Sequence, residues 1–262
     1  MMPIVARFGP FVLTGYTAVL LTAILLGLGG TAVSAARRAL PDWLDACLAS
    51  LVGALLGGRM GFVIGQWAYF QVRPTDIGHF AQGGLSAWGA YAGGVVFLAG
   101  WAWGWKRPFG DYANLLLPTV ALVHLAGWAG CWLQACAYGR ETTWPMMPWQ
   151  QWWIADLPDA YGLLAWRYQT QLVGLMTGMA VLLFLLWGTR YWSALTRLLL
   201  GLTLLHLNLA LVTLWRGDPV PMLPIAWPTP RLDFWLSMSV VVLCLILLQY
   251  QLWRNGRSPS IV

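Results

Sequence analysis

Of the 262 residues, 59% are hydrophobic and 9% are charged, with a mean hydropathy of +0.65, which excludes a water-soluble globule and places the chain in a membrane. The net charge of +6 is no sign of nucleic-acid binding, because fourteen of the fifteen basic residues are arginines scattered singly between apolar runs. Each run is long enough to span a bilayer as a helix, which takes about 20 residues, and no alternating strand pattern suggests a barrel.

The pattern predicts an all-α, polytopic integral membrane protein, a single transmembrane domain over 1–262, with about seven helices at 11–35, 44–66, 84–105, 113–136, 169–189, 192–215 and 231–253. The first run is full length and lacks an early small-residue cleavage site, so it reads as an uncleaved span. The second and third carry Gly53, Gly57, Gly58 and Gly61, then Gly83, Gly84, Gly89, Gly93 and Gly94. Such residues permit close helix contact or leave room for a lipid chain. Arg59 sits among the glycines of the second span. An arginine that deep needs a counter-charge, a polar cavity or an anion, and no Asp or Glu lies inside a nearby span, so a bound anion is expected.

The fourth span turns polar over 127–140, where Cys131, Gln134, Cys136, Tyr138 and Arg140 crowd together as the helix should leave the bilayer. Polar groups at that depth make a candidate functional site; interfacial dressing of a helix end is the plainer reading. Cys131 and Cys136 are five apart, a rotation of roughly 140° at about 100° per residue. They bridge only if the helix breaks between them, and two free thiols are the expectation; Cys47 and Cys244 complete the set, with no CxxC spacing for zinc. His124 and His206 lie on apolar spans and His79 on a loop. Helical histidines of this kind read as hydrogen-bonded core residues, with a haem or chlorin between His124 and His206 as the alternative.

Charge sets the topology. Arg37, Arg38, Lys106, Arg107, Arg190, Arg197, Arg254 and Arg257 share one side with three aspartates, whereas the other side mixes single arginines with six acids. The positive-inside rule puts the N-terminus outside and the C-terminus in the cytoplasm. Two long outer loops follow, 67–83 and 137–168, the second with Trp144, Trp149, Trp152, Trp153 and Trp166 among prolines, a composition suited to the headgroup layer. The nineteen tryptophans exceed what interfacial belts need and could pack against other membrane subunits.

Arg59, Arg140, Arg167 and Arg216 come from separate segments at or below the outer face without evident matching acids. Guanidinium forks suit a phospholipid phosphate, and snorkelling to the interface is the alternative.

Gly83-Gly84-Leu85-Ser86 followed by Gly89, Gly93 and Gly94, then Tyr138-Gly139-Arg140, Arg167 with Thr170-Gln171-Leu172, and Arg216 resemble in order and spacing the prolipoprotein diacylglyceryl transferases. Tyr16 and Arg59 fall where that family has a first-span tyrosine and a second-span arginine. The resemblance runs from about residue 12 to residue 253. It implies a bacterial inner-membrane protein that moves the diacylglyceryl group of phosphatidylglycerol onto a preprolipoprotein cysteine thiol, without a cofactor. That reaction requires a base to form thiolate, cations for the departing phosphate, and clefts for two acyl chains.

Departures from the pattern fall on the polar positions. The histidine expected before Gly89 is Trp88. The family's Gly-Arg-Ile-Gly-Asn reads Gly127-Trp128-Ala129-Gly130-Cys131, its Asn-Gly-Glu reads Gln134-Ala135-Cys136, and Gln169 and Val173 replace a flanking proline and tyrosine. An indole neither takes a proton nor pairs with phosphate. His79, Tyr16 and Cys131 remain candidates for a relocated base or nucleophile, with Tyr91 and Cys136 nearby in sequence. Trp88, Trp128, Gln134, Tyr138 and Gln171 are expected to line the cavity. The resulting expectation is a phospholipid-binding or structural subunit with impaired or absent transferase chemistry; an active transferase is the alternative. A pore or transporter is disfavoured because no span carries paired acids or a broken-helix repeat.

Overall fold

The computed structural model describes residues 4–9, 11–80, 83–144, 147–159, 161–188, 192–222, 228–229 and 231–257. Arg190 and the side chain of Arg257, both used in the charge count, lie outside the described residues.

The chain is helical, with two small hairpins that apolar periodicity did not reveal. The first, β1 (Ile4–Phe8) paired antiparallel with β2 (Phe11–Thr14), takes up the start of the expected first span. Helix α1 (Gly15–Arg37) begins where the Thr14 side chain accepts the amide of Thr17 at 3.3 Å. Next come α2 (Trp43–Gly65), a single turn α3 (Trp67–Phe70) and a 3₁₀ turn at Pro74–Gly78. Helix α4 (Ala87–Gly104) is capped by Ser86, whose hydroxyl accepts the Gly89 amide at 3.2 Å. Helix α5 (Phe109–Gln134) is followed by a 3₁₀ turn at Pro148–Trp152 and the hairpin of β3 (Ile154–Pro158) and β4 (Leu164–Tyr168). Helix α6 (Thr170–Leu183) runs into a π-turn at Phe184–Gly188, and α7 (Ala194–Thr213) and α8 (Leu232–Arg257) complete the bundle.

Among the described residues, six helices are long and apolar enough to cross a membrane: α1, α2, α5, α6 with its π-turn, α7 and α8. The remaining long helix, α4, has eighteen residues and is diluted by glycine and tryptophan. It lies along α2 with the backbones in contact. A Cβ at Gly57 would stand 2.4 Å from the Gly89 carbonyl oxygen, and one at Gly93 2.1 Å from that of Gly53. Of the two uses open to these glycines, close packing is the one realised at this seam.

Helix α5 is the hub, packed on α1, α6 and α7, and most of its inward residues are buried. Against α1 the approach is polar and close. Thr31 and Thr119 hydroxyls meet at 2.7 Å, Thr119 donates to the Gly27 carbonyl at 2.9 Å, and only glycine fits at position 27. Hydroxyls that satisfy one another carry no desolvation penalty in an apolar interior.

The end of α5 corrects the expectation of two free thiols. Cys131 and Cys136 form a disulfide, their Cα atoms 4.6 Å apart. The helix does break between them: Ala135 turns left-handed at φ 51°, and the Cys136 amide folds back onto the Cys131 carbonyl at 3.1 Å. Among described residues the buried free cysteines are Cys47 and Cys244.

Candidate functional site

Beyond the disulfide the chain threads a slot. Ala137 is again left-handed at φ 53°, after which Tyr138-Gly139-Arg140 runs antiparallel to Trp215–Gly217 on one side and to β4 on the other. The Arg140 amide donates to the Trp215 carbonyl and the Gly217 amide to that of Tyr138, both at 2.8 Å, while the Thr142 amide donates to Trp166 at 2.8 Å. Glycine at 139 is forced, since a Cβ there would lie 2.1 Å from the Tyr168 carbonyl oxygen. Gln171 and Thr170 at the head of α6 hold the approach, donating to the carbonyls of Cys136 and Ala137 at 2.9 and 2.7 Å. Left-handed alanines cost roughly 1 kcal/mol each, so two within three positions persist because the disulfide and these bonds impose them.

The four arginines singled out from sequence have different surroundings. Arg59 is buried, and its guanidinium donates to the carbonyls of Ile77 (2.9 Å), Gly83 (2.6 Å), Gly84 (3.3 Å) and Asp76, under the rings of Phe62, Phe70 and Phe80. The partner inferred as an anion is thus a ring of backbone carbonyls, and Arg59 staples the loop that follows α2 back onto that helix. Arg167 is also buried. It pairs with Glu141 at 2.8 Å and Asp159 at 3.4 Å and lies 5.0 Å from the Tyr138 ring centre. Arg216 takes Asp218 through two nitrogens and Asp233 at 3.3 Å. The expected absence of matching acids is therefore corrected: Glu141, Asp159, Asp218 and Asp233 lie on loops and a helix start that folding brings together.

Arg231, just before α8, completes a square with Arg216, Asp218 and Asp233; it donates to the Asp218 carbonyl at 2.8 Å and lies 3.1 Å from Asp233. The spacing Arg-x-Asp occurs at both corners, Arg216 with Asp218 and Arg231 with Asp233, and would have flagged the pair in the sequence. Two cations against two carboxylates leave the square neutral. Burial lowers the Arg216 pKa, but the Asp218 charge and hydrogen bond outweigh it and the net direction is upward. Arg140 differs. It is exposed, its guanidinium 5.6 Å from the Tyr168 ring, with no carboxylate partner among the described residues. Arg140 lines an open cleft of about 430 Å³ together with Thr213, Arg216, Asp218, Thr229 and Arg231.

Acids on this face are held ionised. Burial pushes the Asp159 carboxyl upward, but the amides of Leu163, Tyr161 and Gly162 and the nearby Arg167 outweigh it and set its pKa below the usual range. Asp76 is lowered by the Tyr69 hydroxyl, 2.7 Å away, and by His79. The Tyr138 hydroxyl is raised by burial, then by Asp159 and Asp218.

The candidates for chemistry are scattered. His79 is exposed on the loop stapled by Arg59, with Nδ1 3.4 Å from Asp76. Tyr16 packs its ring on Gly130, where a Cβ would come within 2.5 Å. As half of a disulfide, Cys131 is not a free nucleophile. Trp88 is half-buried in the first turn of α4, and Gln134 is half-buried at the end of α5.

Trp128 is fully enclosed. Its indole nitrogen lies 3.0 Å from Asn208 Oδ1 and 3.1 Å from His124 Nε2, against a Gly174 whose Cβ would clash with the ring. His124 Nε2 is 2.8 Å from the same Asn208 oxygen, and His124 Nδ1 is 2.7 Å from the Tyr91 hydroxyl. Asn208 Nδ2 donates to the Gly174 carbonyl and to Thr177, which donates to the Val173 carbonyl at 2.6 Å. One proton assignment satisfies every group: Tyr91 donates to His124, His124 and Trp128 donate to Asn208, and Asn208 donates onward. The network is neutral, joins α4 to α7, and occupies both nitrogens of His124, which leaves that ring no lone pair for a haem iron. Asn208, an amide inside an apolar span, is the signal sequence reasoning missed.

The chain matches the family model for prolipoprotein diacylglyceryl transferase over residues 3–250. The phosphatidylglycerol–prolipoprotein diacylglyceryl transferase of Trichormus variabilis is 30% identical over 150 residues, covering 56% of this chain and 52% of that relative. The protein of the same name from Paraburkholderia phymatum is 24% identical over 289 aligned positions, 98% of this chain and 95% of the relative. In Streptococcus agalactiae it is 27% identical over 142 residues. The match spans about half the length of the first of these relatives. With its membrane-length helices and a family match along nearly its whole length, the chain is a multi-pass protein of the bacterial inner membrane and belongs to the prolipoprotein diacylglyceryl transferase family.

Proposed function

We propose that this family member binds an anionic, phosphatidylglycerol-like phospholipid at its outer face and has lost, or severely reduced, the transfer step. The observation that carries the reading is Trp128: the position where the resemblance expects an arginine holds an indole inside a closed, neutral network. A phosphate brought there would meet no cation. With an indole at position 88, where the resemblance expects a histidine, no base stands at that position, and Cys131, held in a disulfide, is no free replacement nucleophile. General-base loss alone costs roughly 10²–10⁴ in rate.

Lipid phosphate is assigned to Arg140, the guanidinium without a carboxylate partner among the four, at the mouth of the cleft. Arg216 lines the same cleft, while Arg59 and Arg167 are taken up by their own partners. The seven-span, N-outside orientation belongs to the same proposal, with α4 as the seventh span. The Cys131–Cys136 bond supports it, because disulfides persist in oxidising compartments. Exposed Trp103, Trp105 and Trp187 favour a role as a lipid-binding or structural subunit alongside other membrane chains.

The test is purified protein with phosphatidylglycerol and a lipobox peptide. Lipid should bind and no diacylglyceryl thioether should form. One observation favours active transfer instead, the His79–Asp76 pair at 3.4 Å on a stapled loop, which has the form of a base with its orienting carboxylate. Thioether that forms and disappears in His79→Ala would establish that reading and end the first.

A further inference from the structure

We propose that Cys131–Cys136 is a reversible thiol–disulfide exchange site whose oxidation state decides whether the Tyr138–Arg140 segment stays in its slot. The inference stands apart from the lipid-binding reading, because it concerns the chain's own covalent state.

Three observations carry it. Both cysteines are half-buried at the C-terminal end of α5, within reach of a small or protein-borne thiol, unlike the buried Cys47 and Cys244. The bond straddles the one residue, Ala135, at which the helix leaves its path, and a second left-handed alanine, Ala137, follows directly. These side chains resist that backbone conformation, so the exit is held against its own preference. Third, everything downstream in the slot depends on this exit. Tyr138 lies beneath Arg167, the Gly217 amide bonds to the Tyr138 carbonyl, and Gly139 touches the Tyr168 carbonyl with no slack. Without the bond, the Gln171 and Thr170 hydrogen bonds and the folded-back amide of Cys136 are what hold the turn among the described residues.

The exchange balances as a two-electron reduction by a dithiol. A thiolate attacks one sulfur of the pair and expels the other as thiolate, giving a mixed disulfide. The second thiol of the reductant then displaces the protein sulfur, leaving two cysteine thiols and an oxidised reductant. The reverse reaction, with a disulfide oxidant of the outer compartment, re-forms the clamp. Reduction lets Ala135 and Ala137 relax toward right-handed backbone and frees the strand that presents Arg140.

The experiment uses the full chain in lipid nanodiscs, treated with graded dithiothreitol and then N-ethylmaleimide, with hydrogen exchange followed by mass spectrometry. Alkylation of Cys131 and Cys136 is expected to appear only after reductant. Amides of 138–142 and 215–217 should then exchange at least about tenfold faster, the core of α5 should be unchanged, and reoxidation should restore protection. A Cys131→Ser, Cys136→Ser variant should match the reduced protein and ignore reductant; if it does not fold, the titration of the unaltered chain still decides. Failure of the native protein to take up maleimide after reductant overturns the proposal, as does alkylation with no change in exchange. No lipid or peptide affinity enters the readout, so its failure is distinguishable from failure of the lipid-binding reading.

Discussion

An arginine inside a membrane span must find acceptors or be expelled, and Arg59 finds four backbone carbonyls, those of Asp76, Ile77, Gly83 and Gly84. The need for a partner could be read from the sequence, but its nature could not: carbonyls are common to every residue, and only the fold brings those of 76, 77, 83 and 84 to one guanidinium. Arg59→Leu should therefore unfasten this loop, with a loss on the order of 3–5 kcal/mol for several charge-assisted bonds. Limited proteolysis should then cut within 73–84, and Arg59→Lys should rescue only in part because an ammonium lacks the fork. Arg140 is the opposite case, exposed and without a carboxylate. Arg140→Ala should weaken binding of phosphatidylglycerol by about tenfold, about 1.4 kcal/mol, while circular dichroism and thermal midpoint stay unchanged. Equal binding by the variant would remove Arg140 from the lipid site.

At the level of elements, the α2–α4 seam works because backbone meets backbone. Gly57→Val would drive a branched side chain into the Gly89 carbonyl and the Gly93 backbone, neither of which can move aside as a flexible side chain would. The expected cost is about 3 kcal/mol, at the upper end for overpacking, read as a lowered unfolding midpoint in detergent. The β3–β4 hairpin is closed at its tip by Asp159, which accepts the amides of Tyr161 and Leu163. Its carboxyl titrates below the usual value, so the closure is fully present above the unfolded pKa of about 3.9 and is lost as pH falls through the lower folded value. Protease sensitivity of 159–164 should accordingly stay flat from neutral pH to about 4 and rise only in stronger acid. Sensitivity that rises between pH 6 and 5 would mean another group closes the tip.

Across the whole molecule, one end of the bundle carries a shallow sheet-like layer in which Trp215–Gly217, Tyr138–Thr142, β4 and β3 lie side by side, tied by Arg167 and Arg216 to nearby acids. Its orientation can be tested directly. A membrane-impermeant maleimide on intact spheroplasts should label Leu163→Cys at the hairpin and spare Trp105→Cys, two positions that are both exposed. The second should react only after permeabilisation, and the reverse pattern would invert the topology.

Membrane class, the place of each long helix to within a few residues, the crowding of small residues on α2 and α4, and the family likeness were all determined by the sequence itself. Each is a local sum, of transfer free energy along about 20 residues or of residue identity at fixed spacing, and needs no knowledge of what lies opposite. What the tertiary structure decided was partnership: carbonyls rather than an anion for Arg59, acids for Arg167 and Arg216, Asn208 for Trp128, and Cys136 for Cys131. Those pairings join residues up to 80 positions apart or hang on one left-handed turn at Ala135, and the energy of a pair exists only once the helices have packed.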